Sequence, residues 1–452
     1  MRVAVLGAGH VGLTTALCLA HCGHDLTLVD VDTTRVRLLA QGELPFFEPY
    51  LAELFARVKG HLRLTSDYDA VADADVCIIA VPSPTAADGG VDLTFVRNAA
   101  VSIGRSLRRR RVADPVLVVN KCTVPVGTGR LVSELIAGEL AGEDGQGGQR
   151  PEFSLGSCPE FLREGHAVFD TMYPDRIVFG VDREADGRRL GQLYQAIIER
   201  RFPEVAPELS AAAGTTTVMT TSITSAELIK YAANGFLALK LSFINEIAAI
   251  SSAVGASIQD VARGIGLDRR IGRSFLNAGI GWGGSCLGKD LSAFISTSRE
   301  YGLPTQVLDA ALAVNERQRG VVIRLLQQEL RLLKGSRIGL LGLAFKPGTD
   351  DLRDAPSLDI ARRLLALGAS VSGYDPVVRE VPVPGVTMVA DVRALAHGSD
   401  ALLLITEWEE FAGVDWAALA ATMRQKIMID GRNLLDPSQL ERAGFRYRAI
   451  GR

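Results

Sequence analysis

The chain has 452 residues, 47% of them hydrophobic and 22% charged, an average composition for a water-facing protein and a length too great for one ordinary core. At roughly 150 residues per domain, about three domains are expected. Its 49 Lys and Arg against 52 Asp and Glu leave a net charge of −3, so no global basic field exists to hold a phosphate backbone and nucleic acid is not an expected partner.

The first residues, Arg2-Val3-Ala4-Val5-Leu6, read as a buried strand entering the turn Gly7-Ala8-Gly9-His10-Val11-Gly12 and a helix from Leu13 to about Cys22. A second strand, Asp25 to Val29, stops at Asp30. Strand, glycine turn, helix, strand and acid in this order lift G-x-G-x-x-G from a weak motif to a dinucleotide-binding one. The first glycine permits the turn, the second lets the backbone approach a pyrophosphate and the third lets helix and strand pack closely. Asp30 would accept from the adenosine ribose, which favours NAD over NADP, and Arg35 nearby softens that preference. No signal-peptide pattern precedes the strand and no apolar run approaches the roughly 20 residues a bilayer crossing needs. A cytoplasmic protein without a membrane partner is expected.

Further strands recur at Val76 to Val81 and Val116 to Asn120, and Ala141 to Pro151 reads as a surface loop. Pro203 to Thr221 reads as an irregular excursion. Ser225 to Gly255 suits one long helix, followed by helices at Ile258 to Gly264, Leu291 to Tyr301 and Gln306 to Leu333. The sequence then repeats its opening logic. Arg337 to Gly342 is a strand into a glycine turn, Pro356 to Leu367 a helix, and Ala369 to Tyr374 a strand ending at Asp375. This turn lacks G-x-G-x-x-G and carries Lys346 and Arg353, which suits a nucleotide phosphate better than a second dinucleotide. The expected fold is α/β: two Rossmann-like doubly wound parallel-sheet domains, at 1–202 and 331–452, joined by a central all-helical domain at 203–330.

Five of the six cysteines, Cys18, Cys22, Cys77, Cys122 and Cys158, lie in or beside apolar segments and read as small hydrophobes; no disulfide framework or metal site is expected. Cys286 differs. It lies in Gly281-Trp282-Gly283-Gly284-Ser285-Cys286-Leu287-Gly288-Lys289-Asp290, where a helix starting near Lys289 would favour thiolate. A thiol beside a nicotinamide site permits a thiohemiacetal, then a thioester, then an acid. Lys230 and Asn234 share one face of the long helix at i,i+4, able to hold a water or an oxyanion. Glu160 and Glu164, at the same spacing, are able to serve as a base and as ligands to sugar or ribose hydroxyls.

Together with Val81-Pro82-Ser83-Pro84-Thr85, Cys122 to Thr128, Phe345 to Arg353 and Asp430-Gly431-Arg432, these segments make the chain resemble the nucleoside-diphosphate-sugar 6-dehydrogenase family from Met1 to about Leu435. The resemblance implies NAD-dependent oxidation of UDP-glucose to UDP-glucuronate with two NAD reduced, by a homodimer formed through the central domain. It implies that Cys286 is the nucleophile, Lys230 stabilises the oxyanion and Asn234 holds a sugar hydroxyl. Thr123 and Asp290 would position or activate water, and Glu160 would assist thioester hydrolysis. NAD would be held by Gly7, Gly9, His10, Val11, Gly12, Asp30, Arg35, Thr85, Thr123, Glu164, Lys289 and Arg353. The UDP-sugar would meet Glu160, Phe161, Leu162, Arg163, Glu164, Lys230, Asn234, Phe275, Leu276, Asn277, Ala278, Gly279, Gly283, Lys346 and Arg432, with Arg270 reaching the neighbouring subunit's substrate. Ala278, Ile280, Trp282, Leu287 and Gly288 depart from the family pattern, which has Pro near the first two, Tyr or Phe at the third and Phe-Pro at the last pair; these departures bear on the fit of the sugar.

The same chemistry on GDP-mannose or UDP-N-acetylmannosamine is the close alternative. A β-hydroxyacid dehydrogenase needs neither Cys286 nor the third domain. An inactive NAD and nucleotide-sugar sensor has no use for the thiol and its partners.

Overall fold

Runs such as Val76-Cys77-Ile78-Ile79 and Val116-Leu117-Val118-Val119 have no polar face to offer solvent, and both are wholly buried strands at the centre of a largely parallel sheet. The computed structural model describes residues 1–141, 152–211 and 213–452. The stretch that follows Ala141, expected as a surface loop, lies outside them. The chain divides into two units, Met1–Ala233 and Asn234–Arg452.

The first unit is built on β1 (Arg2–Leu6), β2 (Asp25–Val29), β3 (Leu62–Thr65), β4 (Val76–Ile79), β5 (Val116–Asn120), β6 (Phe153–Ser157), β7 (Arg176–Val181) and β8 (Thr217–Thr221). Their order is β3-β2-β1-β4-β5-β6-β7-β8, parallel throughout except between β6 and β7. Successive residues face opposite sides. Val3, Val5, Ile78 and Val119 pack with Leu13 and Leu17 of the helix His10–His21, whereas Ala4, Leu6, Ile79 and Val118 pack with Ile103 and Ile136 from the helices Thr94–Leu107 and Thr128–Ala141. The segment 203–221, read as irregular, ends in β8, which pairs in parallel with β7 as an edge strand. Its Thr-Val-Met-Thr-Thr sequence is β-prone but largely exposed, so no alternation of buried and polar residues announced it.

The second unit carries β9 (Arg337–Leu341), β10 (Ser370–Tyr374), β11 (Val386–Met388), β12 (Ala401–Leu404), β13 (Ile427–Asp430) and β14 (Arg446–Ala449), all parallel, in the order β11-β10-β9-β12-β13-β14. Both sheets thus reverse direction beside their first strand, the switch point where open α/β sheets bind ligands. Ile244 and Ala248 of the helix Ile223–Val254 and Ile258 and Ala262 of the next share one core with Ile338, Leu340, Leu403 and Ile429 of the second sheet. The helix expected over 306–333 is two, Gln306–Gln318 and Val321–Leu330, parted at Gly320.

The helix Ile223–Val254 also corrects the reading of apolar runs. With 32 residues and a window of mean hydropathy 1.4, it is long and apolar enough to cross a membrane by length and composition. Its scattered polar and charged residues broke the run in the sequence, while the Ala, Ile, Leu and Phe between them keep the average high. Its Glu227, Lys230 and Asn234 are buried against partners within the protein.

Candidate active site

The glycine turn after β1 is set by close packing at two of its three glycines. A Cβ on Gly7, which has φ +101°, would lie 2.4 Å from the Ala80 carbonyl oxygen, and one on Gly12 would lie 1.8 Å from the Gly7 carbonyl oxygen. Gly9 is different, because a Cβ there would meet nothing within 4 Å. The protein's own packing leaves open space at Gly9, the N-cap of the helix His10–His21, where backbone N–H groups and the helix dipole suit a pyrophosphate. Asp30 is buried after β2, accepting from Ala8 N–H at 2.7 Å, Asp32 N–H at 2.9 Å and Arg35 Nη1 at 3.1 Å. A carboxylate fixed there suits a ribose diol, so the residues present fit NAD. The His10 ring, at the first residue of that helix, stacks on Phe46 at 3.7 Å between centroids, Val11 is its second residue, and Thr85 is exposed in a bridge to Val91.

The loops after β5 and β6 carry the next expected residues. Thr123 is half-buried in the first loop. In the second, Glu160 accepts from Leu162 N–H at 2.7 Å and from Lys230 Nζ at 2.9 Å, in an ion pair whose side chains are 8% and 5% exposed. Burial on this scale is costly for either charge alone, so the pair acts as a unit. The Phe161 ring lies 3.9 Å from the Arg176 guanidinium and 5.4 Å from Lys230 Nζ. Arg163, expected at the sugar, donates from Nε and Nη2 to Asp170 at 2.9 and 2.7 Å; its charge is committed to holding this loop. Glu164 is buried. Glu48 accepts from Gly165 and Ala167 N–H groups, both at 2.7 Å, and so fastens the loop's far end.

In the second unit Cys286 is exposed at the N-cap of the helix Leu287–Glu300, with its Sγ 3.5 Å from Ser285 Oγ. The helix starts several residues earlier than its apolar pattern indicates, which places the thiol at the positive end of the dipole. One turn on, Asp290 is 1% exposed and accepts from Asn234 Nδ2 and Lys289 Nζ, each at 2.6 Å. Lys289, expected at the cofactor, therefore supplies a cation to Asp290. Burial pushes the thiols of Cys18 and Cys77 up and that of Cys22 up to about 12; both Cys18 and Cys77 are buried, while Cys286 is exposed. Brief treatment with iodoacetamide is expected to alkylate Cys286 first. Peptide mass spectrometry that found Cys18 or Cys77 labelled ahead of it would contradict this.

The segment leading to Cys286 is held by three buried amides. Gly279 donates its N–H to Asn245 Oδ1 and accepts from Gln318 Nε2, both at 2.8 Å; Trp282 donates its N–H to Asn315 Oδ1 at 2.7 Å and accepts from Asn315 Nδ2 at 3.0 Å. The Gly279 amide, expected on the substrate, is thus engaged within the protein. Phe275 has φ +62°, and Leu276 and Ala278 are buried, while Asn277 accepts from Arg273 at 2.6 Å. A Cβ on Gly283 would lie 2.1 Å from the Asp354 carbonyl oxygen and one on Gly284 would lie 2.6 Å from the Phe345 ring, so this turn and the 345–354 turn require glycine to meet. Arg270 is paired with Asp268 in its own exposed loop and is not brought to the other site residues.

The second nucleotide turn uses its acid differently from the first. Asp375 accepts N–H groups from Leu343, Ala344, Val377, Val378 and the Trp408 indole, which leaves little of the carboxylate for a ribose. Lys346 follows Phe345, with Nζ 5.6 Å from that ring. Arg353 lies bidentate on Asp351, and Arg432 donates to the carbonyls of Ile405 at 2.7 Å and Gly281 at 3.1 Å while pairing with Glu407.

Three models of one family match the chain in order: the NAD binding domain of the UDP-glucose/GDP-mannose dehydrogenase family at residues 1–198, its central domain at 224–317 and its UDP binding domain at 339–437. The chain belongs to the UDP-glucose/GDP-mannose dehydrogenase family. It is 40% identical over 460 residues to the UDP-glucose 6-dehydrogenase TuaD of Bacillus subtilis, covering all of this chain and 93% of that protein. It is 41% identical over 463 residues to a UDP-glucose 6-dehydrogenase of Rhizobium meliloti, covering both in full. Among solved structures, a UDP-glucose dehydrogenase from Pyrobaculum islandicum superposes with a TM-score of 0.85 at 37% identity, over 96% of this chain and 94% of that one. As in that family, the cofactor is NAD and the chain is an oxidoreductase.

Three of the departures from the family pattern are buried in the packing. Ala278 and Ile280 are buried in the core of the second sheet, and Trp282 is buried among Ala238, Leu291, Ile295 and Ala311 with its indole N–H on Ser242 Oγ at 3.3 Å. A Cβ on Gly288 would lie 3.5 Å from the Trp282 ring, in ordinary contact, so these two departures are neighbours in space. Sequence reasoning passed over Glu48, Glu227, Asn245, Asn315 and Gln318. Glu227 and Asn245 were detectable as polar residues on the buried stripe of the long helix; Glu48 carried no local signal.

Proposed function

We propose that this family member oxidises UDP-glucose to UDP-glucuronate, with two NAD reduced per sugar and Cys286 as nucleophile. The observation that carries this reading is an exposed thiol at a helix N-cap one turn from the buried Asn234–Asp290–Lys289 cluster. The identities of about 40% to proteins named for UDP-glucose support that sugar.

NAD, held by the Gly7–Gly12 turn and Asp30, supplies the hydride acceptor. The chain's residues do the rest. Cys286 Sγ adds to the C6 aldehyde left by the first oxidation, and the tetrahedral oxygen gains its stabilisation from Lys230 and Asn234. Loss of the second hydride gives a thioester on Cys286. Water positioned by Thr123 and Asp290, with Glu160 assisting, attacks the thioester carbon; the carbon–sulfur bond breaks, the thiolate is regenerated and the acid leaves. Lys346, Arg353 and Arg432 suit the nucleotide phosphates, although Arg353 must first exchange its hold on Asp351.

The reaction belongs in the cytoplasm, where NAD and sugar nucleotides are held, and in a homodimer. Leu228, Phe236, Phe243, Ile250 and Val254 form an exposed apolar stripe along the helix Ile223–Val254, of the kind a second copy would cover. Purified protein incubated with UDP-glucose and NAD is expected to form two NADH per UDP-glucuronate. One NADH per sugar with aldehyde accumulating would contradict the thioester route, and turnover confined to GDP-mannose would contradict the substrate.

A further inference from the structure

Glu227 lies one turn before Lys230 on the same buried helix stripe and is 3% exposed. Its Oε2 accepts from Gly127 N–H and its Oε1 from Gly129 N–H, both at 2.8 Å. These glycines stand where the loop after β5 turns into the helix Thr128–Ala141, and a Cβ on Gly129 would lie 2.6 Å from Ile223 Cγ2, so turn and helix are in direct contact. The other end of the loop is fastened at Cys122, whose Sγ donates to the Val81 carbonyl at 3.1 Å and whose N–H donates to Asn120 Oδ1 at 3.2 Å. Thr123 lies between the two fastenings. Burial pushes the Glu227 carboxyl up in pKa, with the two N–H bonds pulling the other way, so the carboxylate is a costly group to keep there. A helix start needs only a short polar residue from its own loop. This carboxylate comes instead from the helix that carries Lys230.

We propose that Glu227 is a positioning residue, which sets Thr123 relative to Lys230 and through it governs the water-dependent release of acid from the Cys286 thioester. The inference rests on the role given to Thr123 above. In Glu227→Gln an amide nitrogen must face one of the two backbone N–H groups, so one bond is lost while size is kept. The experiment measures steady-state turnover and the intact mass of quenched enzyme for Glu227→Gln, Thr123→Ala and the double variant. Glu227→Gln is expected to lower kcat about tenfold or more, to leave KM for UDP-glucose and NAD within about threefold, and to accumulate a covalent adduct on Cys286. The double variant is expected to be no slower than Thr123→Ala alone. Gly127→Ala, which strains a residue at φ +94°, perturbs the same turn from the loop's side and is expected to give the same pattern even where Glu227→Gln does not fold. Multiplying losses in the double variant, or a rise in KM without adduct, would overturn the proposal. Wild-type protein that forms no acid from UDP-glucose would instead overturn the functional reading and this inference with it.

Discussion

Replacing Cys286 by Ser is expected to lower UDP-glucuronate formation by about three orders of magnitude or more, roughly 4 kcal/mol of lost transition-state stabilisation. A serine hydroxyl ionises far less readily than a thiol, and an oxygen ester is a poorer intermediate than a thioester. Because Cys286 is exposed, the fold should be almost indifferent, with a stability change within about 0.5 kcal/mol. Product analysis by chromatography beside a thermal melt checks both halves. Undiminished acid production from the variant would remove Cys286 from the nucleophile role.

Lys230→Met is expected to damage both activity and fold. It leaves Glu160 buried without its 2.9 Å partner, and breaking a buried pair from one side costs about 3–5 kcal/mol, on the order of 10 °C in melting temperature. Loss of the oxyanion partner adds a fall of about a hundredfold in kcat. The double variant Lys230→Met/Glu160→Gln separates these effects, since removing both charges should restore much of the melting temperature and none of the turnover. Recovery of turnover in the double variant would show that Lys230 matters only as a counter-ion.

The two variants lie at opposite ends of what could be read from sequence. Cys286 stood out because its surroundings are local: a glycine-rich turn and a helix start lie within a few residues of it. The spacing of Lys230 and Asn234 was equally local, but their use was not. Lys230 faces Glu160, from a loop 70 residues earlier, and Asn234 faces Asp290, 56 residues later. Two residues that read as one pair thus serve two separate polar clusters. Arg163 and Gly279 matched the family motif and yet spend their polar groups on Asp170 and on Asn245 and Gln318. A motif match gives a residue's place, and the surrounding packing decides what its side chain has left to offer.

Neighbouring residues alone carry the doubly wound α/β class, the NAD turn, the family and a thiol at a helix start, because each is written locally through period, turn chemistry or helix-start position. Which loops are clasped, and by what, is visible only in the folded chain. Glu48 reaches Gly165 across 117 residues and Glu227 reaches Gly127 across 100. Such partners are chosen by the strand order, which brings the ends of distant strands together, and by the need of every buried carboxylate for donors wherever the fold supplies them.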